Sequence, residues 1–125
     1  MSECSTRKIG EQYEEKAVEY LTEKGYRILD RNYSVRGGEL DVIAVKEDTV
    51  VFVEVKYRSN SRYGDPLEAV NLRKQKHICR AALHYYSVHK ECRGMGCRFD
   101  VIAIYGSGEV KHIENAFEFV EGNTV

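Results

Sequence analysis

The chain has 125 residues and a net charge of −1, with 31% charged and 42% hydrophobic residues. That length predicts one domain spanning 1–125, and the balance excludes both a disordered chain and a globally basic nucleic-acid binder, so any such binding needs a local basic patch. No apolar run is long enough to cross a bilayer and the opening MSECSTRKIGEQ has no apolar core, so no membrane association and a cytoplasmic protein are expected, with Cys4, Cys79, Cys92 and Cys97 as free thiols.

The first predicted element is a helix from about Arg7 to Lys24, with Ile9, Tyr13, Ala17, Tyr20 and Leu21 on one face and Gly25 as its stop. YRILDRNY alternates as a first strand, and Gly37 and Gly38 break the chain after it. GGELDVIAVKEDTVVFVEVKYR, Gly37 to Arg58, reads as a hairpin. GDPLE offers Asp65 as a helix N-cap with Pro66 and Glu68 behind it, and Asn71 is a second cap. The helical body runs from about Leu72 to His89, with Ile78, Ala82, Tyr85 and Tyr86 on one side. CRFDVIAIY is a strand and EVKHI a short last one, with Ala116, Phe117 and Phe119 packing down as a tail. A meander followed by a helical crossover predicts an α/β fold with a central mixed sheet flanked by helices.

The hairpin poses the chemical question, because three acids and a lysine stand among its valines and isoleucines. Strand side chains alternate, so Glu39, Asp41, Ile43 and Val45 share one face, and Leu40, Val42 and Ala44 the other. In the second strand Val50, Phe52, Glu54 and Lys56 share a face. A turn at Glu47-Asp48 pairs Lys46 with Thr49, Val45 with Val50 and Ile43 with Phe52. The same register sets Asp41 against Glu54 and Glu39 against Lys56. Two carboxylates directly opposed, with Cβ atoms ~4.5–5.5 Å apart, repel unless something positive lies between them. A divalent cation held by Asp41 and Glu54 supplies it, and Lys56 lies one strand step away to act on a water or a phosphate. The plain alternative is an ion-pair cluster in which Glu39 and Lys56 neutralise each other. Two opposed acids plus a lysine favour the cation site.

Asp41, twelve residues, then Glu54-Val55-Lys56 resembles the motif of the PD-(D/E)XK nuclease superfamily. The segments GEQYEEKAVEYLTEKGYRILDRNY, RGGELDVIA, VVFVEVKYR, RFDVIAI and HIENAF more narrowly resemble the YraN-like family of prokaryotic proteins. The resemblance implies a restriction endonuclease-like αβββαβ core. It implies Mg2+ or Mn2+ bound by Asp41, Glu54 and the carbonyl of Val55, with Lys56 serving the attacking water. It adds Glu14 on the first helix as a further ligand, with Gly10 one turn earlier leaving room for substrate, and Gln75 as a positioning residue. The superfamily often has proline before its aspartate, where this chain has Leu40. The acid at Glu39 fits the YraN-like family and leaves its own role open: ligand, partner of Lys56, or contact for Arg36.

Basic residues follow the hairpin. Arg58, Arg62, Arg73 and Lys74, with Arg36, form the expected nucleic-acid-binding rim, alongside Lys76 and Arg80 and with Tyr57 and Tyr63 interleaved. His84, His89, Cys92 and Cys97 lie close in sequence but lack zinc-ligand spacing, so a zinc centre is disfavoured. The expectation is a metal-dependent nuclease hydrolysing phosphodiester bonds in DNA, on branched or damaged structures. The alternative is a non-catalytic nucleic-acid-binding or protein-interaction module on the same fold. A homodimer is left open.

Overall fold

The computed structural model describes residues 2–58 and 70–120, with side chains from Gly10 onward. Its first element is α1, Ser2–Glu23, which begins earlier than the apolar stripe alone suggested. Ala17 and Leu21 are fully buried along that stripe, with Tyr13 and Tyr20 half-buried beside them. Gly25, at φ +94°, closes the helix. Its N–H reaches the Thr22 carbonyl at 3.1 Å and the Tyr26 N–H reaches Leu21 at 3.0 Å.

Five strands follow in one sheet: β1, Arg27–Val35; β2, Gly38–Lys46; β3, Thr49–Arg58; β4, Gly96–Tyr105; and β5, Val110–Phe117. Their spatial order is their chain order. Neighbours are antiparallel except β3 and β4, which run parallel and are separated in sequence by α2, Leu72–Val88. The mixed sheet with helices against it is the expected restriction endonuclease-like core. A short 3-10 turn, Lys90–Cys92, leads from α2 into β4.

Alternation along the strands builds two apolar layers. On one face Ala17 and Leu21 of α1 pack on Val42, Ala44, Val51, Val53, Ile102 and Ile104. On the other, Ile78, Ala81, Ala82 and Tyr85 of α2 pack on Ile43, Val50, Phe52 and Phe99. Asn71 caps α2, its Oδ1 accepting from the Lys74 N–H at 2.9 Å. The other cap, Asp65, with Pro66 and Glu68, lies outside the described residues.

The end of the chain departs from expectation. Asn115 takes φ +51° and the β4–β5 register shifts between Phe99 and Val101. That bulge carries β5 past His112, so Ala116 and Phe117 belong to the strand and not to a tail. Phe117 stacks on Phe99 with ring centroids 5.1 Å apart. Phe119 is 46% exposed and does not pack down.

Candidate active site

The β2–β3 hairpin closes through Glu47 and Asp48, with Glu47 in the left-handed region at φ +56°. Pairing runs from Lys46–Thr49 to Val42–Val53, the register that the turn predicts. There the paired rungs stop. Strict alternation would put Leu40 with Val42, yet Leu40 packs under α2 while Val42 packs under α1. The strand therefore rolls at Asp41. On the neighbouring strand Asn32, at φ +52°, lies between the Arg31–Val42 and Tyr33–Leu40 pairs and rolls with it. Released from the ladder, Asp41 uses its side chain as a rung: Oδ2 accepts from the Val55 N–H at 2.8 Å.

Glu54 keeps its place on the α2 face of β3 and is only 4% exposed. Two ammonium groups flank it. Lys56 Nζ is 3.6 Å and Lys74 Nζ 3.7 Å from its Oε1. Lys74 also bonds Glu39 at 3.2 Å, so Glu39 is answered by α2 and not by Lys56 as the simple register required. Lys74 stands in the acid cluster itself rather than on an outer rim.

A glycine pair sets this approach. Gly37 turns at φ +78° against the Arg80 side chain. At Gly38 a Cβ would lie 2.6 Å from the His77 carbonyl oxygen and 2.9 Å from the Ala81 nitrogen. Only a hydrogen fits there, so α2 seats its backbone on the start of β2 and brings Lys74, one turn before Ile78, over Glu39 and Glu54.

The electrostatics follow from burial and crowding. Burial, then the charge of Asp41, pushes the Glu54 carboxyl up to about 7 despite both lysines. Burial also raises Asp41, against the opposing pull of the Val55 N–H and Lys74. The two acids lie close enough to shape each other's charge, and crowding by Asp41 favours the protonated form of Glu54. Burial disfavours the charge on Lys74, but Glu54, Glu39 and Asp41 outweigh it and raise its pKa, so the ammonium persists. Burial and the charge of Asp41 raise Glu14, against the pull of Asn32 and Arg31. Glu14 on α1 therefore feels the charge of Asp41. A Cβ at Gly10 would touch none of the described residues, so no contact among them demands that glycine.

Among the described residues no three His, Cys, Asp or Glu side chains form a ready cation cage. Magnesium does not need one: one or two carboxylates, waters and a phosphate suffice. A crowded, buried acid pair fits that demand, since a cation relieves its repulsion.

The remaining predicted residues scatter. Gln75 Nε2 donates to the Val70 carbonyl at 3.0 Å, which fastens the segment before α2. Arg36 is exposed at the β1–β2 turn, and Arg58 Nη1 donates to the Tyr57 carbonyl at 3.1 Å. Arg62 and Tyr63 lie outside the described residues. Arg73 lines two adjoining clefts beside the first turns of α2. One, of about 370 Å³, is bounded by Gly37, Leu72, Lys76, His77 and Arg80, and the other, of about 260 Å³, by Asn71, Lys74 and His77. The histidines near the cysteines are engaged elsewhere: His84 with the Tyr33 hydroxyl, and His89 with the Tyr85 carbonyl.

Sequence reasoning passed over a second buried acid. Asp100, on β4, is 1% exposed. Arg98 donates to its two oxygens at 3.0 and 3.1 Å, His112 Nε2 lies 2.7 Å away and the Asn115 N–H 3.0 Å away. Burial works to raise its pKa, but these donors win and lower it. Asp100 thus plugs the β5 bulge as a satisfied carboxylate, the opposite of Glu54. The signal in sequence was an acid inside an otherwise apolar strand, FDVIAI.

Comparison with known proteins places this geometry in a family. The description "Uncharacterised protein family UPF0102" matches residues 13–104. A UPF0102 protein of Myxococcus xanthus (strain DK1622) is 46% identical over 115 residues, covering 90% of each chain. One from Chlorobium phaeobacteroides (strain BS1) is 48% identical over 118 residues, 87% of this chain and 93% of its own. One from Alkaliphilus oremlandii (strain OhILAs) is 47% identical over 115 residues, 89% and 98%.

Proposed function

From a chain that belongs to the UPF0102 family, with its buried acids converging at the splayed end of a hairpin, we propose a magnesium-dependent nuclease that hydrolyses phosphodiester bonds in DNA. The observation that carries this reading is the Asp41–Glu54 carboxyl pair, crowded in a buried notch with Lys56 and Lys74 on its flank. Asp41, Glu54 and the main-chain carbonyl of Val55 would hold the cation, and Glu14 would stand behind Asp41. Magnesium, when bound, supplies charge neutralisation at the phosphate and a more acidic water.

The chain's own groups do the rest. Glu54 gives up its proton when a cation takes its place, so cation affinity grows as pH rises through about 7. Lys56, on the same strand face, orients the attacking water and takes part in moving its proton. Lys74 keeps its charge and meets the negative charge that builds on the phosphate. Arg73 and the clefts beside it take flanking phosphates. The free thiols Cys79, Cys92 and Cys97 suit the reducing cytoplasm, and no described helix is long and apolar enough to cross a membrane.

One observation favours the rival reading of a non-catalytic binding module. Lys56 and Lys74 already stand within 3.7 Å of Glu54 and offset the charge of the acid pair. A panel of labelled linear, single-stranded, flapped and four-way DNA with magnesium or manganese separates the two. The nuclease reading expects metal-dependent cleavage of at least one substrate, lost in Lys56→Ala with metal binding retained. Binding without cleavage on every substrate would leave the module reading standing.

A further inference from the structure

A pair of tyrosines stands beside the acids and takes no part in the chemistry above. Tyr13 precedes Glu14 on α1, and Tyr57 follows Lys56 on β3. Their rings stack with centroids 4.1 Å apart and planes 17° from parallel. Tyr13 borders the apolar layer under α1, whereas Tyr57 lies outside it and is 41% exposed.

Alternation along β3 gives the notch two unlike walls. Glu54 and Lys56 face α2, where Lys74 and Arg73 offer charge. Tyr57 shares its parity with Val53 and Val55, which pack under α1. A strand of DNA crossing the notch would therefore meet cationic groups on one side and an aromatic surface on the other. A base pair buries its faces against its neighbours and has none to offer. An unpaired base does, and a solvent-facing ring stiffened from behind is what it stacks on.

We propose that the Tyr13–Tyr57 pair is a stacking platform for an unpaired base next to the scissile phosphate, which makes single-stranded DNA, or a single-stranded segment at a junction, the preferred ligand. The inference rests on the reading of the notch as a nucleic-acid site, but its test does not depend on catalysis. The probe is a single-stranded oligothymidylate carrying one 2-aminopurine, with the same sequence as a blunt duplex for comparison. Calcium replaces magnesium so that the probe is not consumed. The wild-type chain should bind the single strand more tightly than the duplex and quench the 2-aminopurine. Tyr57→Leu should lose that quench and about tenfold in single-strand affinity, with duplex affinity unchanged. Tyr57→Phe should restore both.

Equal loss on both probes, an unaltered single-strand affinity in Tyr57→Leu, or a wild-type chain that neither quenches nor prefers the single strand would each overturn the platform. The wild-type result stands even if Tyr57→Leu does not fold. A wild-type chain that stacks the probe but cleaves nothing with magnesium would sink the nuclease reading and support the platform. Cleavage indifferent to Tyr57 on single-stranded substrates would do the reverse.

Discussion

Replacing Glu54 by glutamine should make the protein more stable at alkaline pH, which is an unusual result for a buried residue. The Glu54 carboxyl is raised from 4.5 to about 7 in the folded chain. Since the native state binds this proton more tightly than the unfolded state does, stability falls as pH rises from about 4.5 to about 7 and stays low above it. Each pKa unit corresponds to 1.36 kcal/mol, so the loss is about 3 kcal/mol once ionisation is complete. Solvent screening discounts little of it, as the side chain is 5% exposed. Glutamine copies the shape and neutrality of the protonated acid. Glu54→Gln should therefore match wild type at pH 5 and exceed it by about 3 kcal/mol at pH 8, a rise in Tm on the order of 10 °C for a chain of this length. The assay is thermal unfolding with EDTA across pH 5 to 8.5. Equal pH slopes for the two proteins, or a variant weaker than wild type at pH 8, would refute the reasoning from burial and repulsion.

Other expectations test the neighbouring structure. Magnesium or manganese at a hundredfold excess over Kd should stabilise wild type by about 2.7 kcal/mol at pH 8, and Asp41→Asn should abolish the effect; a melting shift that persists in the variant puts the ion elsewhere. Isothermal titration should find cation affinity weakening as pH drops below about 7, because the Glu54 proton competes. Gly38→Ala drives a methyl into the backbone of α2 and should cost about 1–3 kcal/mol in urea unfolding, whereas Gly10→Ala should cost nothing comparable. Asp100→Ala should behave opposite to Glu54→Gln, losing about 3–5 kcal/mol at neutral pH because Arg98 and His112 are left without their acceptor. Its lowered pKa means that this stability is present above about pH 4 and fades as pH falls through the folded value, which an acid titration of wild type followed by circular dichroism would register.

What could be read in advance was whatever a short stretch of chain decides by itself. The Glu47-Asp48 turn fixes the pairing from Lys46–Thr49 to Val42–Val53, and period and cap locate α2 after Asn71. The acids at 41 and 54 stand out because hairpin cores do not carry them. The roll at Asp41 was not legible, because alternation assumes extended backbone and nothing in the letters says that Asn32 is left-handed. The bulge at Asn115 hid the length of β5 for the same reason. Lys74 looked like one basic residue in a run of them. Its place over Glu54 depends on how closely α2 sits on Gly38, a contact between segments far apart in the chain. The bond from Gln75 to the Val70 carbonyl was hidden too, since it depends on backbone just before the helix.

Asp41 serves the sheet and the notch with the same carboxylate. Because one of its oxygens receives the Val55 N–H, any ion or proton that draws charge from that group must also loosen or tighten the amide. The Val55 amide is therefore a built-in gauge. Its nitrogen chemical shift and its rate of exchange with deuterated water should change with whatever occupies the notch, residue by residue and without a substrate. A fragment or inhibitor aimed at the acids could be followed by this single backbone resonance, independently of any activity assay.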